Sequence, residues 1–169
     1  TGGTRGQVLQ LITSAAGESW QQAELTMQND WMDLTPSKTV IVDVYSDSPF
    51  NMLAKLAGPE TAASPESATS DAHSGNGWQT LVFDFSTPED GTQPAADDAY
   101  QKIYFLPMWN GTGTGSNTTN NNWENAADTT TYVDNIAAFG IAVAPPAADP
   151  EAAPVPTVPD NETYNIYND

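Results

Sequence analysis

The sequence predicts an all-β protein, an antiparallel sandwich of jelly-roll type, and three observations carry that expectation. Apolar residues fall in short runs of period two, turn-forming residues punctuate those runs, and helical periodicity is nearly absent. At 169 residues the chain is long enough to bury one substantial core.

The runs follow one another as QVLQLIT (7 to 13), WQQAELTM (20 to 27), KTVIVDVYS (38 to 46), NMLAKLA (51 to 57), WQTLVFDFS (78 to 86), QKIYFLP (101 to 107) and TYVDNIAAFGIAVA (130 to 143). In the third run Val40, Val42 and Val44 share one face while Ile41, Asp43 and Tyr45 share the other. In the fifth, Leu81, Phe83 and Phe85 oppose Val82 and Asp84. One dry and one half-wet face per strand is what an antiparallel sandwich requires. Turns are expected at Thr35-Pro36-Ser37, Ser48-Pro49, Gly58-Pro59, Gly75-Asn76-Gly77 and from Pro88 to Gly91. Two connections, 58 to 77 and 107 to 129, read as long loops, the second carrying the polar tract GTGTGSNTTNNN between Trp109 and Trp123.

Residues 1–143 are therefore assigned to the sandwich and 144–160 to a tether, in which six Pro stand between positions 145 and 159 among Ala and Val. Such a composition favours extended polyproline geometry. Residues 161–169, NETYNIYND, read as a terminal strand with Thr163, Asn165 and Tyr167 on one side and Tyr164, Ile166 and Asn168 on the other.

The charge narrows the partners. With 22 acidic side chains against four basic ones the net charge is −18, which repels nucleic acid and anionic membrane surfaces. Most of these carboxylates read as solvated charge, with cation binding as the functional alternative. There is no Cys, so disulfide and thiolate chemistry are excluded. No run approaches the roughly 18 apolar residues of a membrane span, and TGGTRGQ shows no signal-peptide pattern.

Catalysis finds little support. Glu18, Glu24, Asp43 and Asp84 lie in or beside strands, and Glu89-Asp90 and Asp97-Asp98 in turns, with no placed pair of the kind a glycosidase needs. The single His73, in DAHSGNG, reads as an exposed loop residue without companion ligands or a nucleophile. The chain is expected not to be an enzyme.

Aromatic residues are the remaining handle, because sugars stack C–H faces on Trp and Tyr while their hydroxyls bond polar side chains. Of the five Trp, Trp20 and Trp78 open apolar runs and read as core. Trp31, Trp109 and Trp123 stand in polar turns or loops, where they either face a sugar or close an end of the sandwich. With Asn110 they form the expected glycan-facing set. Asp134, between the apolar Val133 and Ile136, wants either a cation or several hydrogen-bond donors to offset its desolvation.

Taken in order, WQQAELTM, DWMDLTPSKTVIVDVYSDSPFNMLAKL, GNGWQTLVFDFS, YQKIYFLPMWNG and TYVDNIAAFG resemble the galactose-binding-like jelly-roll modules of carbohydrate-binding type. Those modules are appended to secreted polysaccharide-binding and polysaccharide-degrading proteins of marine bacteria. The resemblance spans residues 7 to 140 and implies an extracellular or cell-surface module that binds a neutral polysaccharide such as a β-glucan. It further implies a structural calcium held in part by Asp134, with its other ligands from an acidic segment near the module's start. The family's opening strand has no counterpart before TGGTRGQ, which implies a gap in one sheet. Of a lysine and a glutamate in the fourth strand, Lys55 is kept and the position two later is Ala57.

The terminal strand then has two readings. It resembles the start of a following module of the same chain, or it is a donor strand in which Tyr164, Ile166 and Tyr167 complete a neighbouring copy and build a head-to-tail filament. Asn110, Asn117 and Asn161 each begin an Asn-X-Thr glycosylation pattern, in keeping with a surface setting.

Overall fold

The computed structural model describes residues 6–16, 21–59, 66–89, 96–109, 128–138 and 140–143. Among these residues ten strands run in chain order as β1 (Leu9–Thr13), β2 (Ala23–Thr26), β3 (Asp30–Asp33), β4 (Thr39–Ser46), β5 (Phe50–Pro59), β6 (Ser67–His73), β7 (Gly77–Asp84), β8 (Ala99–Pro107), β9 (Thr129–Ala138) and β10 (Gly140–Val143). The smaller sheet holds four of them in the order β1-β9-β4-β7, and the larger holds six, β10-β3-β8-β5-β6 with β2 also paired to β8. All pairings among the described residues are antiparallel. The fold is an all-β sandwich, as the period-two runs predict.

The core lies between the sheets. Val40, Val42 and Val44 of β4 and Leu81 and Phe83 of β7 meet Met52, Ala54 and Leu56 of β5 and Ile103 and Phe105 of β8, all fully buried. Each large side chain so buried contributes about 1.5–3 kcal/mol, which fixes the register because a slip of one residue would turn it outward. A second cluster, Leu53, Ala68, Leu106 and Trp109, sits on the opposite face of the larger sheet with Tyr104 packed against it.

Three elements differ from the sequence reading. The connection from 58 to 77 contains β6, whose buried Ser67, Ala68 and Thr69 are small residues that give no apolar signal. Trp31 lies not in a turn but in β3, where DWMD has acids at both ends and no strand alternation to read. His73 is not an exposed loop residue: it ends β6 and is 2% exposed. Its Nδ1 accepts from the Gly75 N–H at 2.9 Å and its ring stacks on Phe50 at 5.4 Å. Since Nδ1 accepts, the neutral ring carries its proton on Nε2, which donates to the Val44 carbonyl oxygen at 3.1 Å. Gly75, at φ +81°, closes the turn that follows; a Cβ there would stand 2.4 Å from the Pro49 nitrogen.

One irregularity positions side chains on the outer face of the smaller sheet. Along β4 and β9 the partners pass from Ile41 with Ala137 to Asp43 with Asp134, so β9 carries one residue more than β4 over that step. Asn135 absorbs it at φ +49°, a left-handed conformation that Asn tolerates better than most residues. The inward set of β9 consequently changes from Thr131 and Val133, both buried, to Ile136 and Ala138, which pack on the core.

Candidate functional site

The outer face of the smaller sheet carries a row of aromatic residues. Tyr45 of β4 is paired in register with Trp78 of β7 on one side and with Tyr132 of β9 on the other, and Tyr132 is paired with Gln10 of β1. The three rings are on the face opposite the core, because Val44 and Val133, next to the two Tyr, are buried, as is Leu81, which has the opposite parity to Trp78 along β7. The Tyr45 ring stands 5.6 Å from Trp78 at 62° and 6.0 Å from Tyr132 at 67°, edge-on contacts that hold the rings against one another. Trp78 remains 38% exposed. A groove of about 480 Å³ runs beside the row, lined by Gly6, Val8, Tyr45, Asp47, Trp78 and Tyr132.

Polar groups flank the rings. The Tyr45 hydroxyl donates to Asp47 Oδ1 at 2.7 Å, and that bond to a carboxylate raises the phenol above its ordinary pKa. In the next row Asp43 is paired with Thr80 on one side and with Asp134 on the other. Asp43 Oδ1 accepts from the Thr80 hydroxyl at 2.6 Å and its Oδ2 from Asn135 Nδ2 at 2.9 Å. The bulge at Asn135 brings that amide within reach, and Asp134 Oδ1 accepts from the Asn135 N–H at 2.9 Å. The face therefore offers flat apolar rings next to carboxylates and hydroxyls, the two kinds of group that a sugar's C–H face and hydroxyls meet.

Trp78 corrects the sequence reading, which placed it in the core; the alternation of GWQTLVFD assigns it to the Val82 face instead. Tyr45 and Tyr132 were not singled out, although the same alternation sets both opposite buried valines.

Of the expected glycan set, Trp31 and Trp109 do not stand in one site. Trp109 is 6% exposed, so its ring offers no face for stacking; its Nε1 donates to Glu89 Oε1 and it closes the outer cluster over Leu53, Ala68 and Leu106. It therefore covers an outer face of the larger sheet, neither of the two roles expected of it. Trp31 is half-buried in β3, with an Nε1 that is shielded and, among the described residues, has no hydrogen-bond partner. Neighbouring Met32 pairs with Tyr100 near the start of β8, whereas Trp109 follows the end of β8. Nine residues of strand separate the two ends, about 30 Å at the usual rise, too far for both indoles to share a short sugar. Asn110, Trp123, the three Asn-X-Thr sites including Asn117 and Asn161, and the terminal Tyr164, Ile166 and Tyr167 lie outside the described residues.

For calcium, Asp134 stands opposite Asp43, and among the described residues no group of three or more His, Cys, Asp or Glu side chains could hold a metal ion. Two carboxylates fall short of the six to eight oxygens that calcium takes, so the described residues do not by themselves fit the ion.

The outer face of the larger sheet carries a ladder of charges. Lys102 Nζ lies 2.9 Å from Glu24 Oε1, Lys55 Nζ lies 3.0 Å from Glu66 Oε2, and the same Lys55 Nζ sits 4.9 Å above the Tyr104 ring. Hydrogen bonds from Lys102, then Tyr104 and Thr26, lower the Glu24 carboxyl to about 2. The same bond to Glu24 raises Lys102. These charges satisfy one another.

No protein-family model matches the chain, and no curated protein matches it either.

Proposed function

We propose that this chain is a non-catalytic, extracellular module of carbohydrate-binding type and that its ligand, a neutral polysaccharide such as a β-glucan, lies on the outer face of the smaller sheet. The observation that supports this reading is the in-register row Trp78, Tyr45, Tyr132, with a groove beside it and hydrogen-bonding side chains in the next row. A sugar ring stacks on the exposed indole, and its hydroxyls donate to Asp43, Asp47 and Asp134. The same acids disfavour uronate or sulfated chains, as does a net charge of −18.

Affinity electrophoresis and titration calorimetry against β-glucans, with Trp78→Ala beside the parent chain, test the proposal. Retarded migration that is lost in the variant supports it. Free migration of the parent through every neutral glucan gel refutes it.

A further inference from the structure

The strand edges of the sandwich are not treated alike. On β7 the Val82 N–H donates to Asp71 Oδ2 at 2.7 Å, and the Gln79 side chain bridges from the Ala72 carbonyl at 3.0 Å to the Ser74 N–H at 2.8 Å. On β6 the Ala68 carbonyl accepts from the Glu89 N–H at 2.9 Å. Side chains and a loop thus take up main-chain groups that an added strand would need. At β1 the corresponding device reaches one residue past the strand end: the Gln21 amide donates to the Ser14 carbonyl and accepts from the Ser14 N–H, both at 2.8 Å, the two bonds a neighbouring strand would make. Among the described residues no such group serves Leu9 to Thr13 on the side away from β9. Ile12 there is 66% exposed. A groove of about 400 Å³ continues from the Gln21 clip, lined by Gln10, Leu11, Ile12, Thr13, Gln22, Ala23 and Pro107 among others.

We propose that this groove accepts the segment 161–169 of a second copy of the chain as an added strand on β1, with Tyr164 and Ile166 entering between the sheets against Leu11, Ala23 and Pro107. The alternation of NETYNIYND supplies one apolar face for the groove and leaves Tyr167 to lie over Ile12. Length favours a second copy over the same one. From Val143, which pairs with Asp30, the way back along β3 and β2 to Ala23 is seven residues, about 20–25 Å. A stretch with the composition and length of 144–160 would span on the order of 50 Å at about 3 Å per residue in polyproline geometry. A stiff spacer of that reach suits the next molecule. Two copies at −18 each repel, so association strengthens as salt shortens the screening length from about 10 Å at 0.1 M to about 3 Å at 1 M. The contact is independent of the aromatic row, and Trp78→Ala leaves it unchanged.

The test is sedimentation velocity of the full chain over a concentration series at 0.1 M and 1 M NaCl, with hydrogen exchange of the β1 amides, for the parent and for Tyr164→Asp/Ile166→Asp. The altered positions lie beyond every described strand, so an unchanged melting midpoint certifies the fold. The expected result is a ladder of oligomers that lengthens with concentration and salt, accompanied by about tenfold or greater slowing of β1 exchange. Both effects are absent in the double variant. A parent that stays monomeric overturns the proposal, and so does β1 protection independent of concentration, which would mean that the groove is filled from within the same molecule. Oligomers undiminished in the variant overturn it as well.

Discussion

Tyr45 and Trp78 face each other across the β4–β7 pairing, ring centroids 5.6 Å apart at 62°, and both stand on the side of the sheet that the core does not use. A ring pair of this kind inside a core stabilises the fold. Outside it, with Trp78 38% exposed, the pair costs solvation that a ligand would relieve.

Trp78→Ala should therefore separate binding from folding. Removal of the stacking face is expected to weaken glucan affinity at least about tenfold, equivalent to about 1.4 kcal/mol. The melting midpoint should move little, since Leu81 and Phe83 hold β7 on the core. Calorimetric titration and a thermal melt of the same sample give both numbers. Unchanged affinity alongside an unchanged melt would remove Trp78 from the site.

His73 makes a different prediction, about stability alone. His73→Ala leaves the Val44 carbonyl and the Gly75 N–H without their partner and is expected to cost about 2–4 kcal/mol in denaturant unfolding. Gly75→Ala forces a Cβ to within 2.4 Å of Pro49 in a left-handed turn and should cost about 3 kcal/mol or more. A Gly75→Ala chain as stable as the parent would mean that the turn is not closed as described.

The Glu24–Lys102 pair gives a pH signature. Glu24 is lowered from 4.5 to about 2, chiefly by the hydrogen bond from Lys102, so its contribution is present above the unfolded value of 4.5 and is lost as pH falls towards 2. Lys102 is raised above 10.5 by the same bond, so its contribution is present below 10.5 and is lost as pH climbs through the raised value. The stability difference between the parent and Lys102→Met should be flat from about pH 5 to 9 and should close at both extremes. Because the pair is exposed, the difference is small. A difference that grows on acidification would contradict the assignment.

Asp43 and Asp134 are directly opposed across β4 and β9, an arrangement in which like charges destabilise a sheet. In the presence of chelator, Asp134→Asn should raise stability by about 0.5–1 kcal/mol, since Asn still accepts from the Asn135 N–H. A calcium at Asp134, which the family resemblance implies but which the two described carboxylates do not by themselves fit, would raise the parent's melting midpoint and leave that of Asp134→Asn unmoved. Identical parent melts with calcium and with chelator would dismiss the ion.

Alternation made much of this architecture legible. Val40, Val42 and Val44, and Leu81, Phe83 and Phe85, are all fully buried on the faces that the sequence assigns to the core. What escaped was structure without an apolar signature. Ser67 and Thr69 stand opposite the core residues Leu56 and Ala54 and Ala68 joins the outer cluster, all too small to give an apolar signal, and DWMD becomes β3 through its pairing with β8 and β10. The single run from 130 to 143 is two strands in different sheets, and the bulge at Asn135 changes its phase before the break. The site was obscured for a related reason: Trp residues in polar loops were favoured over Trp78 and the two Tyr, although strand parity alone sets those three on one outer face.

The most direct measurement follows individual side chains while a β-glucan is added. In an NMR titration with laminarin-type oligosaccharides, the indole N–H of Trp78 and the amides around Tyr45 and Tyr132 should shift in proportion to occupancy, while those of Trp31 and Trp109 stay in place. Shifts confined to Trp31 or Trp109, or a spectrum that no glucan alters, would contradict a sugar site on the outer face of the smaller sheet.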